Sequence, residues 1–331
     1  MKISLFCKKV EAGGGVYFNS LYNTLKKLNL DVESILTPRY LGYVPPKVFF
    51  KNLKFNGDII HTSEDVGFVV DKKSKPIVTT LFHCVLDPAY QKYTTNLQKI
   101  YHKFFVKKYV EKSLKNADSI IALSEHSKES IKKIFGYENV KVIYPGIDIE
   151  KFKPIKKDNN SGDKTKLLFV GNLIKRKGID LLPKIMKELG DDFVLYHTSG
   201  LRTKKVFSEK NIISLGNLSV DNLIKAYNDC DIFLSPSRLE SFGLSVAEAM
   251  ACGKPVVTTN YSSLPELVID GKGGFLCKMD DIKEFSEKIK YLAKDEYLMK
   301  RMGKFNRKKV LNDFSSEKMG KNYIKIYKSL I

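Results

Sequence analysis

The feature that most restricts what this chain can fold into is an alternation that runs its whole length: short runs rich in β-branched residues recur, with amphipathic segments between them. That is the pattern of parallel strands joined by crossover helices, and it sets the fold class as α/β. In the first half the strands are expected at 2–7, 31–36, 58–63, 76–83, 119–124 and 140–145. In the second they are expected at 166–171, 193–197, 211–215, 231–236, 255–259 and 274–277. Between the two sets lies KPIKKDNNSGDKTK (153–166), which has no apolar periodicity and reads as an exposed connection. With 331 residues the chain can bury two such cores. The expected division is therefore 1–150 and 151–331, with a last helix over about 315–331 that could return to brace the first domain. Open parallel sheets take ligands at the carboxyl ends of their strands, so two facing sheets would make a cleft.

Composition narrows the classes. Hydrophobic residues are 43% of the chain and no low-complexity tract breaks them, which excludes a disordered protein. The five cysteines, Cys7, Cys84, Cys230, Cys252 and Cys277, are odd in number, scattered and mostly set in or beside apolar runs. They suit buried thiols in a reducing compartment, and no CxxC pair suggests a metal. The apolar run in MKISLFCKKV is too short for a signal-peptide core, and no later run is long enough to span a bilayer. The expected location is cytoplasmic. Lysine and arginine exceed aspartate and glutamate by 57 − 37 = 20, a field that attracts anionic partners or simply records a lysine-rich background. No RNA-recognition, helix-turn-helix or zinc signature accompanies that charge, so a nucleic-acid partner is not expected.

The chemistry concentrates in DIFLSPSRLESFGLSVAEAMACGKPVVTT, residues 231–259. Its order is strand, loop, helix, strand. Gly243 permits a tight entry into a helix that runs from Leu244 to about Cys252, where Gly253 stops it. The backbone N–H groups of Phe242, Gly243 and Leu244 then point out of a helix N-terminus, where partial positive charge and unpaired donors suit a diphosphate. Glu240 and Glu248 bracket that terminus, and two ionised carboxylates are sensible acceptors for a polyol on either side of a diphosphate. Taken alone, the pair reads more simply as a carboxylate that caps or pairs on the surface and another that solvates a helix face.

The stretch ESFGLSVAE, from Glu240 to Glu248, resembles the E-x7-E motif of glycosyltransferase family 4, and SPSRLESFGLSVAEAMACGKPVVTT is similar to that family's signature almost throughout. The resemblance implies a GT-B fold, with a first domain for the acceptor and a second for the donor. It also implies a reaction: retaining transfer of a hexose-like sugar from a UDP- or GDP-linked donor to a glycan, polysaccharide-precursor or lipid-linked acceptor. By resemblance, Glu240 meets hydroxyls of the transferred sugar, Glu248 holds the ribose, and the backbone from Phe242 to Leu244, beside Ser241, meets sugar and phosphate. The leaving phosphate itself would help deprotonate the acceptor, so neither a metal, a cofactor nor a dedicated carboxylate base is expected.

The likeness extends along the chain. LLFVGNLIKRKGIDLL (167–182) is similar to the family's phosphate-binding strand and loop, in which Lys177 neutralises the diphosphate. Many relatives carry arginine where Asn172 stands, and Arg176 could supply that charge from the adjacent turn. VIYPGIDIEKFKP (142–154) resembles the interdomain segment, and Leu264, Pro265 and Glu266 match a loop after the next strand. Gly13, Gly14 and Gly15 follow the first strand as a phosphate-approaching turn requires, and by resemblance Gly14 and Gly15 lie beside donor and acceptor. His83 corresponds to the family's active-site histidine, although Cys84 follows it where relatives have aspartate. Asp87 reads as a turn residue before Pro88. The departures at Asn172 and Cys84 leave room for a catalytically silent partner subunit, a reading that donor turnover would decide.

One stretch stands outside this scheme. QKYTTNLQKIYHKFFVKKYVEKSLKN (91–116) interleaves apolar and aromatic residues with seven lysines as an amphipathic cationic helix. It fits a core-facing helix with a solvated basic back, or one lying peripherally on an anionic membrane at its cytoplasmic surface. The strand that follows needs a packing partner, which favours the first.

Overall fold

The structure, a computed structural model, describes residues 1–8, 14–37, 53–71, 75–82, 84–155, 164–199 and 207–331. The chain divides into two compact units. One is Met1–Gly146 together with Ser316–Ile331, and the other is Ile147–Ser315.

The first unit is built on β1 (Lys2–Lys8), β2 (Asp31–Thr37), β3 (Ile59–Ser63), β4 (Ile77–Leu81), β5 (Ser119–Ala122) and β6 (Val140–Val142). They form one parallel sheet in the order β2-β1-β3-β4-β5-β6. The central strands are buried along their whole length, and β3 and β4 carry His61, Thr62, Thr79 and Thr80 as buried polar residues among the apolar ones. After β1 the chain steps outward to β2, then returns to the other side of β1 for β3. That reversal is a topological switch point, and the carboxyl ends of β1 and β3 flank it.

The second unit repeats the plan with β7 (Thr165–Phe169), β8 (Phe193–Thr198), β9 (Ile212–Gly216), β10 (Ile232–Ser235), β11 (Val256–Thr259) and β12 (Gly274–Cys277), in the order β12-β11-β10-β7-β8-β9. All pairings are parallel. Here the switch point lies between β7 and β10. Its core draws Leu167, Phe169 and Leu234 from the sheet and Ile185, Phe285 and Met302 from the covering helices.

The helix Ser316–Lys328 lies with the first unit and packs on the helix Gly14–Lys27. Buried polar groups tie it to the sheet: Tyr323 bonds Tyr17 and Thr80, while His61 bonds Thr80 at 2.8 Å and Tyr327 at 2.7 Å. Burial pushes the His61 imidazole down to about 3, so it stays neutral in this network.

The expected strands are present with shorter ends. The fourth stops at Leu81 rather than running to residue 83, and the sixth stops at Val142 rather than 145. Apolar content continues past the last ladder bond in both places, and apolarity alone does not mark where pairing ends. The expected single cationic helix is in fact three consecutive pieces: an α-helix Asn96–Tyr101, a π-helical turn His102–Val106, and an α-helix Lys107–Asn116.

Candidate functional site

Two loops of the second unit meet at its switch point. The first follows β7 and carries Gly171, Asn172 and a 3-10 turn, Lys175–Lys177. The second follows β10 and carries Arg238 to Phe242 before the helix Leu244–Ala251. Gly178 lets the first loop sit against the second. Its φ of +72° belongs to the left-handed region, and a Cβ there would lie 2.1 Å from the Pro236 carbonyl oxygen.

Arg238 ties the loops together. Its guanidinium grips both carboxylate oxygens of Asp180, at 2.7 and 2.8 Å, donates to the Lys175 carbonyl at 2.5 Å, and reaches Asp280 at 2.6 Å. In return the Arg238 backbone N–H donates to the Arg176 carbonyl at 2.8 Å. These bonds fix the 3-10 turn so that its side chains meet Glu240. Lys177 Nζ forms an ion pair with Glu240 Oε1, and Arg176 Nη1 lies 4.0 Å from Oε2 while donating to the Leu239 carbonyl at 2.6 Å. The Lys-Arg-Lys turn is therefore half-buried at its second and third residues rather than a solvated surface feature.

Glu240 itself is buried. Burial alone would raise its carboxyl pKa, but the charges of Lys177 and Arg176, with hydrogen bonds from Lys177 and Ser237, hold it below the ordinary value. The loop is braced from behind, where Ser262 accepts from the Glu240 N–H at 3.1 Å and Ser263 donates to the Glu240 and Phe242 carbonyls. Ser263 precedes the short helix Leu264–Leu267 that holds Pro265 and Glu266.

Gly243 occupies the N-cap of the helix Leu244–Ala251 at φ 102°, and no side chain caps it. The backbone amides of the first turn are thus offered where a bound anion could take them. A Cβ on Gly243 would crowd Leu267 at 3.0 Å. Phe242 is buried against Phe314, while Ser241 and Leu244 stay half-exposed.

Glu248 lies on the same helix, half-buried, and accepts a hydrogen bond from the Tyr227 hydroxyl at 2.7 Å. Burial pushes its carboxyl up to about 7 despite that bond, which pulls the other way. It is not a solvated helix face. The two glutamates bracketing the helix terminus therefore differ in state, one held ionised by cations and the other poised near neutrality.

In the first unit, Gly14 and Gly15 open the helix Gly14–Lys27 and line an open pocket with Cys7, Lys8, Ser63 and Phe82. It sits at that unit's switch point. Gly13 and His83 lie outside the described residues. Cys84 packs against the Leu81 and Val110 cluster, and burial pushes its thiol up to about 12, so it supplies no negative charge in place of an aspartate. Asp87 caps the helix Pro88–Gln91 and accepts from Ser130 at 2.8 Å.

Reading the sequence missed Tyr227, Arg238 and Asp180. Arg238 lies inside the signature stretch and could have been singled out there; Tyr227 and Asp180 carry no local signal.

Residues 150–309 match the family described as glycosyl transferases group 1, and residues 35–151 match glycosyltransferase family 4. An uncharacterized glycosyltransferase of Methanocaldococcus jannaschii is 35% identical over 224 residues, which is 65% of this chain but only 60% of that relative's length. An uncharacterized 41.2 kDa protein in the cps region of Klebsiella pneumoniae is 30% identical across 85% of this chain and 82% of its own. Among solved structures, Anabaena HepE in complex with UDP-glucose superposes with a TM-score of 0.79 at 18% identity, covering 100% of both chains. At that identity the likeness bears on fold, which is GT-B.

Proposed function

This chain belongs to the glycosyl transferases group 1 family, and from that premise we propose that it transfers a hexose-like sugar from a nucleoside diphosphate sugar to an acceptor hydroxyl, with retention of configuration. The observation that carries this reading is the clamp at the second switch point, where Lys177 and Arg176 converge on buried Glu240 beside an uncapped helix N-terminus. A diphosphate seated against the amides of Phe242, Gly243 and Leu244 gains negative charge as the sugar departs. Fixed dipoles and Lys177 stabilise that charge more than the ground state, which lowers the barrier. Arg176 answers for the positive charge that Asn172 does not supply.

Glu240, kept ionised, accepts from hydroxyls of the transferred sugar, and Glu248 accepts from the ribose. The two cations and the amides provide the electrostatic work, so the reaction needs no metal. The leaving phosphate takes the acceptor proton on the same face. By the same family likeness Gly14 and Gly15 approach the donor phosphate and the acceptor, and His83 acts as the active-site histidine. A UDP-linked donor is the first to try, since HepE was captured with UDP-glucose. Acceptors are of the glycan or lipid-linked class, as in cell-envelope glycan synthesis.

The test is turnover of UDP- and GDP-sugars in the presence of chelator, by wild type and by Lys177→Ala. Transfer by wild type, reduced about 10²–10³-fold in the variant, is the expected result. A variant as active as wild type would refute the role of Lys177. Absence of turnover with every donor would instead point to a silent partner subunit.

A further inference from the structure

The segment from Asn96 to Asn116 has two apolar faces, and among the described residues only one packs against the rest of the fold. Val106 packs against the core cluster of the first unit, and Val110 and Leu114 are buried within it. Tyr109 stacks on Phe68 at 4.5 Å, and Ser113 donates to the Glu64 carbonyl at 2.7 Å. This face anchors the segment. On the other side Leu97 is 78% exposed, Ile100 55%, Phe104 53% and Phe105 52%. The π-helical turn His102–Val106 accounts for both faces: its wider winding admits an extra residue, so that Phe104 and Phe105 both turn outward before Val106 returns to the core. Phe105 stacks on Tyr101 at 5.6 Å, which stiffens the outer face.

Four large apolar side chains gathered on one helix face are an interaction patch rather than scattered exposure. Their surroundings indicate the partner. Residues 91–116 hold seven lysines and one glutamate, and that glutamate, Glu111, pairs with Lys107 at 3.7 Å. Lys99, Lys103 and Lys108 are exposed beside the patch. A second copy of the chain would bring like charges face to face, and a nucleic acid would leave Leu97 and Ile100 without an apolar environment. An anionic bilayer satisfies both features: acyl chains receive the apolar residues and headgroups receive the ammonium groups, which their long stems let them reach.

We propose that the outer face of the Asn96–Lys108 segment docks this protein onto anionic lipid bilayers, with Leu97, Ile100, Phe104 and Phe105 entering the headgroup boundary. The docking stands independently of the transferase reading.

The experiment is co-sedimentation of the full chain with vesicles of phosphatidylcholine, alone or mixed with phosphatidylglycerol, at low and high salt. Binding is expected only with phosphatidylglycerol, and it should weaken as salt rises. The double variant Leu97→Gln with Phe104→Gln should abolish it, while Lys99→Gln and Lys103→Gln should each weaken it by about fivefold. Because these side chains are exposed, circular dichroism and thermal melting should stay as in wild type. Equal binding to pure phosphatidylcholine, or undiminished binding by the folded double variant, would overturn the proposal. So would the same residues driving self-association, or binding of single-stranded RNA in preference to vesicles.

Discussion

Glu240 and Glu248 are the same residue type on either side of one helix terminus, yet their surroundings push their protonation in opposite directions. The charges of Lys177 and Arg176 hold the Glu240 carboxyl below its ordinary value and so keep it ionised at neutral pH. Glu248 is raised by burial to about 7, above its ordinary value of 4.5. Between those two values the folded chain binds the extra proton, so ionising Glu248 costs stability as pH rises through that window. A ribose that donates to the carboxylate favours the ionised form. Nucleotide affinity should therefore climb as pH passes about 7, and Glu248→Gln should flatten that dependence in calorimetric titrations. Tyr227→Phe removes the bond that lowers the Glu248 pKa, so the rise in affinity should move to higher pH. An unchanged pH profile in both variants would mean that Glu248 does not meet the nucleotide. Tyr227 carries no local signal in the sequence, and Arg238, though inside the signature stretch, gives no sign there of its partners. Tyr227 is 21 positions from Glu248, and Arg238 is 58 from Asp180 and 42 from Asp280, distances over which only the folded sheet creates proximity. The glutamates and Lys177 were legible because their neighbours in sequence form a motif.

At the scale of elements, the site is a product of topology. β7 and β10 are neighbours because the chain reverses its winding between them, and the loops after both strands are brought side by side. The strands themselves were readable from short β-branched runs recurring between amphipathic segments, whereas their ends were not, as with β4 and β6. The π-helical turn escaped notice for a different reason: one inserted residue shifts the apolar period slightly, and the pattern still scans as helix. Gly178 shows how closely the loops are packed. Gly178→Ala forces a side chain into the Pro236 carbonyl and a backbone conformation that alanine resists. It should lower the melting temperature and also weaken diphosphate binding, since it pushes Lys177 away from Glu240. Full activity in a purified Gly178→Ala protein would show that the loop tolerates displacement.

Across the whole molecule the chain begins and ends in the same unit, with residues Ile147–Ser315 folded as the other. The terminal helix contributes Tyr323 and Tyr327 to a buried polar network around His61. Truncation after Ser315 would remove the Tyr327 partner of His61 and the Tyr323 partner of Tyr17 and Thr80, leaving only the His61–Thr80 bond of that network, at about 1–3 kcal/mol for each buried group left unpaired. The first unit should then melt early while the second keeps its own transition, which differential scanning calorimetry would resolve. A single unshifted transition would show that the helix adds nothing to the first unit. Among the described residues no helix is long and apolar enough to cross a membrane. The excess of 20 positive charges gives a field that attracts anionic ligands, and the cations at the second switch point are set to bind a diphosphate. The direct measurement is isothermal titration of the protein with UDP, GDP and their sugars against the bare nucleosides, repeated with Lys177→Ala. One nucleoside diphosphate should bind far more tightly than its nucleoside, with most of that advantage lost in the variant. Equal binding of nucleoside and diphosphate, or a variant that binds as wild type does, would contradict that expectation.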